Sequence, residues 1–284
     1  MMRFLSFETD GGHSFGAAVD GGVVDLGRRP DVAAKSLREA IAMGALAKLA
    51  ELAASSRPDM VQGDVRFLPV IPDPAKILCI GLNYETHRLE TGRQVVGHPT
   101  VFTRFADTQI GHRGQIVAPK VSRSLDYEGE LAVIIGHGGR YIAEADAFNH
   151  VAGYACYNDA TLRDWQSHTH QFTPGKNFPT TGPFGPYLVT PDEVGVIGPQ
   201  RIRTRLNGET VQSATLGEMI FSIPVLINYV SSFTPLRPGD VICTGTPGGV
   251  GAKREPPLFM KPGDTVEVEI DGVGLLASSI VSED

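Results

Sequence analysis

The chain has 284 residues, 42% hydrophobic and 20% charged, which suffices for a sizeable core in one large domain or in a large domain with a smaller companion. A formal net charge of -7 without any basic cluster argues against nucleic acid and anionic membrane as partners. A small anion still fits wherever a local Lys, Arg or metal reverses the field. With no apolar run of 18 residues and no signal pattern in the opening Met-Met-Arg-Phe, the expectation is a soluble, cytoplasmic protein. Cys79, Cys156 and Cys243 stand apart, odd in number and without CxxC spacing, so they read as reduced, buried residues.

In chain order, residues 3–7, 14–19 and 23–26 read as short strands divided by Asp10-Gly-Gly and Asp20-Gly-Gly turns, a small β-meander. Residues 33–54 carry Ala and Leu at helical spacing, and Ser55-Ser-Arg-Pro-Asp ends the helix. Val70-Ile-Pro-Asp-Pro-Ala behaves as a linker, giving a small N-terminal α/β domain over residues 1–70 and a larger one over 71–284. Residues 76–81 form an apolar strand. With Asn83 as N-cap, the helical turn that follows puts His87 and Glu90, three apart, on one face. A carboxylate beside an imidazole fixes its tautomer and raises its basicity, as a water-activating base requires, although the same spacing also occurs on solvated helices. Residues 90–99 read as a flexible connection able to act as a lid, and 99–104 resume a strand.

The stretch Leu125-Asp-Tyr-Glu-Gly-Glu-Leu-Ala-Val-Ile-Ile-Gly136 alternates with period two, setting Asp126, Glu128 and Glu130 on one face and Tyr127, Leu131 and Val133 on the other. Carboxylates this close either share a hard divalent cation or line an edge strand facing water. Residues 151–157 form a further strand ending at Asn158-Asp159. Asp159 can reach a cleft from there, and either residue can equally cap the turn bearing Arg163 and Gln166. Lys176 lies in a loop rich in turn formers, where it neutralises an anion or simply meets water. Residues 202–206 and 209–212 flank Asn207-Gly208, a hairpin signature, and residues 222–233 are helical with Pro224 early. Arg237-Pro-Gly-Asp240 and Lys261-Pro-Gly-Asp264 are one turn used twice, feeding strands at 241–244 and 266–270. Loop 244–251 exposes N–H groups and a Thr hydroxyl to an anion, but it lacks the Lys-Ser/Thr ending of a P-loop. No GxGxxG stands between a strand and a helix either, so nucleotide binding is excluded. Many strands and few helices beyond residue 70 make the class β-rich α+β.

Five ordered motifs, Gly81-Leu-Asn-Tyr-Glu-Thr-His-Arg-Leu-Glu90, Leu125-Asp-Tyr-Glu-Gly-Glu-Leu131, Tyr157-Asn-Asp-Ala-Thr-Leu-Arg-Asp-Trp-Gln166, Pro174-Gly-Lys-Asn-Phe178 and Thr244-Gly-Thr-Pro-Gly-Gly-Val-Gly251, resemble the fumarylacetoacetate hydrolase family over about residues 70–280. The first 70 residues resemble the small, variable domain of many bacterial members. The resemblance implies a mixed β-roll, a homodimer, and Mg²⁺ or Mn²⁺ held by Glu128, Glu130 and Asp159. It also implies a water-activating dyad of His87 and Glu90 on a segment that orders with substrate, Lys176 near a developing enolate, and substrate contacts from Arg163, Gln166 and Thr246. Arg104, where many relatives have Lys, and the chain's own His168-Thr-His170 are departures that bear on substrate choice. The activity implied is hydrolysis of a C–C bond in a 2,4-dioxo acid, an acylpyruvate of the fumarylpyruvate type met in aromatic-ring or sugar-acid catabolism, so the partner is a small anionic 2-oxo acid. Oxaloacetate decarboxylation and 2-hydroxymuconate-type isomerisation or hydration use the same site. A noncatalytic oxo-acid binding protein is the alternative from another class.

Overall fold

The computed structural model describes residues 2–94 and 97–284. It is α+β and β-rich, as expected. At the middle of an eleven-stranded sheet, Gly129–Ile135 pairs antiparallel with Val151–Asn158 on one side and Val241–Cys243 on the other. Ile77–Gly81 and Thr100–Arg104 complete the latter flank. On the former flank lie Gly182–Val189 and then the meander Arg3–Thr9, Gly12–Val19 and Gly22–Asp25. The N-terminal strands thus extend the main sheet, and Phe4, Phe15 and Leu26 share a core with Ala155, Tyr157 and Leu188.

A five-stranded sheet packs on the other face of the central strands. The hairpin Arg201–Leu206 and Glu209–Thr215 leads into Thr265–Ile270, Gly274–Ser282 and Gln115–Ala118. Its Ile202, Val268 and Leu276 interdigitate with Leu131, Val133 and Cys156. The hairpin turn has the expected left-handed pair, Asn207 at φ 52 and Gly208 at φ 83. Both Pro-Gly-Asp turns close alike, with Asp240 accepting from the Arg237 N–H at 2.8 Å and Asp264 from that of Lys261 at 2.9 Å. The three cysteines are free and buried. Among the described residues, no helix is long and apolar enough to cross a membrane.

Several expectations change. Residues 33–54 form two helices, Leu37–Ala42 and Leu46–Ala54, because Gly44 turns left-handed at φ 64 between them. The acidic stretch is also two elements: Leu125–Asp126 pairs with Thr161–Leu162, and only Gly129–Ile135 enters the main sheet. The break falls where side chains replace ladder partners, Asn158 accepting from the Glu128 N–H at 3.0 Å and Gln212 from that of Gly129 at 3.0 Å. None of this stretch faces water. Asn158 and Asp159 cap nothing, since the helix Arg163–Gln166 begins after Leu162. Lys176 ends a short helix, Thr173–Lys176, and is buried. Of the stretch expected as a lid, Val95 and Val96 lie outside the described residues.

Asn83 is not the helix cap either; Tyr84 takes that position ahead of Glu85–Thr91. The buried Asn83 amide instead donates to the carbonyls of Thr244 and Phe221 at 2.8 and 3.0 Å and accepts from the Phe221 N–H at 2.7 Å. It cross-links the approach to that helix with two distant loops. Asn83→Ala removes the partner of one buried and two part-buried backbone groups, and we expect a loss of about 2–4 kcal/mol in unfolding free energy. A lower denaturant midpoint at constant m-value is the readout.

Candidate active site

The strand register explains why three carboxylates meet. Gly129 stands opposite Asn158 and Glu130 opposite Tyr157, and the Asp159 N–H donates to the Glu128 carbonyl at 2.9 Å. Residues leaving one strand therefore face residues entering its neighbour. One oxygen from each of Glu128, Glu130 and Asp159 lies within 4.8 Å of the others, and the three side chains are almost wholly buried.

Their partners are unequal. Lys176 Nζ donates to Glu128 Oε2 at 2.7 Å and to Asp159 Oδ2 at 2.6 Å. The remaining oxygens of the same two residues take Arg163 Nη1 and Arg104 Nη1, each at 2.6 Å. Glu130 receives the Gly245 N–H at 2.9 Å, and among the described residues no side-chain cation bonds it. Titration follows these contacts. Burial pushes the Glu128 carboxyl up, but Lys176 and Arg163 outweigh it and bring the pKa down to about 2. Glu130 is raised well above the carboxylate range by burial and then by its like-charged neighbours Asp159 and Glu128. Burial pulls Lys176 down, yet Asp159 and Glu128 more than compensate and keep it an ammonium.

Such a set fits a hard divalent cation. The three groups offer oxygen alone, without His or Cys, which suits Mg²⁺ or Mn²⁺ better than zinc. Glu130 is the carboxylate whose charge has no countercharge in hydrogen-bond contact, and an ion among the three would supply it. Two of the three carboxylates are reachable, because Glu128 and Glu130 line a cleft of about 550 Å³ together with Lys176. Lys176→Met leaves Glu128 Oε2 and Asp159 Oδ2 without a donor. The metal-free protein is then expected to lose about 3–5 kcal/mol, with part recovered on adding Mg²⁺ in a thermal melt.

His87, Arg163, Gln166 and Thr246 line the same cleft. The fully buried Asp159 and the partly exposed Glu90 are not among its lining residues. His87 Nδ1 meets Glu90 Oε1 at 2.7 Å, and Glu90 Oε2 accepts from the Gly249 N–H at 2.8 Å, so the pair cannot swing apart freely. With Nδ1–H assigned to this bond, Nε2 carries the lone pair. Arg163 gives Nε to Asp126 at 2.8 Å and Nη1 to Glu128 and to Gln166, the latter at 3.0 Å. Its Nη2 is buried without a partner. The Thr246 hydroxyl donates to the Gly129 carbonyl at 3.0 Å and accepts from Gln212 Nε2 at 2.8 Å.

Loop 244–251 departs from expectation in what it binds. Its amides serve the protein's own carboxylates: Gly245 to Glu130, Gly249 to Glu90, and Gly251 with Ala252 to Asp126 at 2.7 and 2.9 Å. The loop organises the acidic groups of the site. Asp126, read only as a member of an acidic face, anchors this loop and Arg163 together. Gln212, which nothing in its hairpin strand singled out, supports Thr246 and the backbone between Glu128 and Glu130. Arg104, noted for departing from relatives, braces Asp159.

The sequence matches the family model for the fumarylacetoacetate (FAA) hydrolase C-terminal region over residues 76–281. It is 39% identical over 265 residues to the mitochondrial oxaloacetate tautomerase FAHD2A of Bos taurus, covering 92% of this chain and 84% of that protein. It is 45% identical over 222 residues to the oxaloacetate tautomerase YisK of Bacillus subtilis, covering 76% of this chain and 73% of that one. Among solved structures, the fumarylacetoacetate hydrolase of psychrophilic Exiguobacterium antarcticum superposes with a TM-score of 0.87 at 34% identity, over 100% of both chains.

Proposed function

This chain belongs to the fumarylacetoacetate hydrolase family, a family of enzymes, and we propose that it interconverts the enol and keto forms of a small 2-oxo acid of the oxaloacetate kind. The observation carrying this reading is a single cleft lined by a buried carboxylate pair, a buried ammonium and a histidine whose tautomer is fixed by Glu90. That two relatives are named oxaloacetate tautomerases supports the choice of substrate.

Glu128, Glu130 and Asp159 would hold Mg²⁺ or Mn²⁺, which supplies a Lewis acid that favours the enolate form of a 2-oxo acid. The protein's own groups do the rest. Arg163 Nη2, buried and unpartnered, donates to the substrate carboxylate. His87 Nε2 accepts the proton from the carbon next to the ketone as that C–H bond breaks, and the electron pair moves onto the ketone oxygen. The proton then passes to that oxygen to give the enol, and the reverse sequence gives the ketone. Lys176, kept protonated by its carboxylate neighbours, offsets the charge developing on oxygen.

C–C hydrolysis of an acylpyruvate is the second reading. The His87–Glu90 pair favours it, since the same base can activate water, and the Exiguobacterium relative is named a hydrolase. Product analysis separates the readings. With Mg²⁺ or Mn²⁺, a tautomerase accelerates the decay of enol-oxaloacetate to the ketone without releasing pyruvate. Release of pyruvate and a second acid from acetylpyruvate marks the hydrolase, and release of CO₂ from oxaloacetate marks a decarboxylase. Failure to accelerate the enol–keto change would remove the first reading.

A further inference from the structure

Beyond the acidic centre and the groups already described, the ionisable side chains lining the cleft among the described residues are all of basic type: Arg93, His168, His170 and Lys253. No carboxylate accompanies them in a chain with 32 acidic residues against 25 Lys and Arg. Lys253 in particular has a fixed backbone. It ends the turn Gly251–Lys253, its N–H donates to the Val250 carbonyl at 3.1 Å, and the two preceding amides are gripped by Asp126. The same Asp126 carboxylate holds Arg163 Nε at 2.8 Å. One buried anion thus sets both the turn that carries Lys253 and the guanidinium whose Nη2 lacks a partner. Among the described residues, neither the Lys253 ammonium nor the Arg93 guanidinium makes an ion pair or a side-chain hydrogen bond.

We propose that Lys253, assisted by Arg93, forms a second anion subsite at the cleft wall, which receives the distal carboxylate of a dicarboxylic 2-oxo acid while Arg163 takes the proximal one. The inference deepens the reading of the site as one for oxo acids and makes the cleft selective for substrates charged at both ends. Lys253 and Arg93 are exposed at the cleft rim, and a cation there gains from a charge-assisted contact with carboxylate and gains little from a neutral ester of the same shape.

The test compares oxaloacetate with its 4-methyl ester on the Mg²⁺-loaded protein, using both calorimetric Kd and enol–keto turnover. The unaltered protein is expected to bind oxaloacetate about tenfold more tightly than the ester, a difference of about 1.4 kcal/mol. Lys253→Ala is expected to bring that ratio to within about twofold, Arg93→Ala to reduce it less, and Lys253→Arg to keep most of it. A ratio near one in the unaltered protein overturns the subsite, as does a ratio that survives in Lys253→Ala. If the binding ratio behaves as expected but neither compound is turned over, the subsite stands and the tautomerase reading falls. If turnover is found while the ratio ignores Lys253, the reverse holds.

Discussion

Glu130→Gln is expected to abolish divalent-metal binding while making the metal-free protein more stable. The amide keeps the shape of the side chain, its oxygen still accepts the Gly245 N–H, and its nitrogen meets the carboxylates of Asp159 and Glu128 in place of a third like charge. Because the folded protein raises the Glu130 pKa, the neutral form of this group is favoured on folding. Its contribution is complete below the unfolded pKa and is lost as pH rises through the folded value. The metal-free wild type should therefore weaken over that rise while Glu130→Gln does not, and the gap between their melting temperatures should widen with pH. For the wild type, a cation at 100 times its Kd adds about 2.7 kcal/mol. The variant should show none of this increment, and wild-type affinity for Mn²⁺ should increase with pH because binding displaces the Glu130 proton. A variant that binds Mn²⁺ as tightly as wild type, measured by calorimetry, would show that the three carboxylates do not form the cation site.

His87→Ala is expected to lower kcat by about 10²- to 10⁴-fold, the usual worth of a positioned general base. Metal affinity should stay within about twofold, since among the described residues His87 bonds Glu90 and none of the three carboxylates. Glu90→Gln should lower kcat to between the wild-type and His87→Ala values, because the amide has one oxygen for two donors: with that oxygen on the Gly249 N–H, its NH2 faces His87 Nδ1 and favours the tautomer protonated on Nε2. Turnover by His87→Ala at the wild-type rate would assign the proton transfer to another group. Stopped-flow measurement of enol decay separates this outcome from a change in KM.

Much of this site could be read from the chain because its acidic groups are local to recognisable strands. Glu128 and Glu130 stand two apart at a strand entrance, Asp159 at a strand exit, and His87 three before Glu90, and antiparallel pairing brings the first three together. What stayed hidden depends on where backbone N–H groups point after folding. Loop 244–251 announced its free amides but not their targets, which lie on residues far away in sequence. Asn83 looked like a cap since Asn often is one, and only tertiary packing shows its amide spent on Thr244 and Phe221. Gln212 occupies a strand position with no local oddity at all. The break in the acidic stretch was equally illegible, because side chains of Asn158 and Gln212 produce it and the alternation of hydrophobicity does not.

Since the amides of one loop, from Gly245 to Ala252, clasp Glu90, Asp126 and Glu130, the His87–Glu90 pair and the acid cluster share a single mechanical mount. Adding or deleting one residue there would shift both together, so anyone redirecting this enzyme to new compounds should leave that loop intact. Another part of the lining offers more freedom: His168, Thr169 and His170 line the cleft from an exposed segment in which, among the described residues, the Thr169 hydroxyl alone makes side-chain hydrogen bonds, both to the Gln171 backbone.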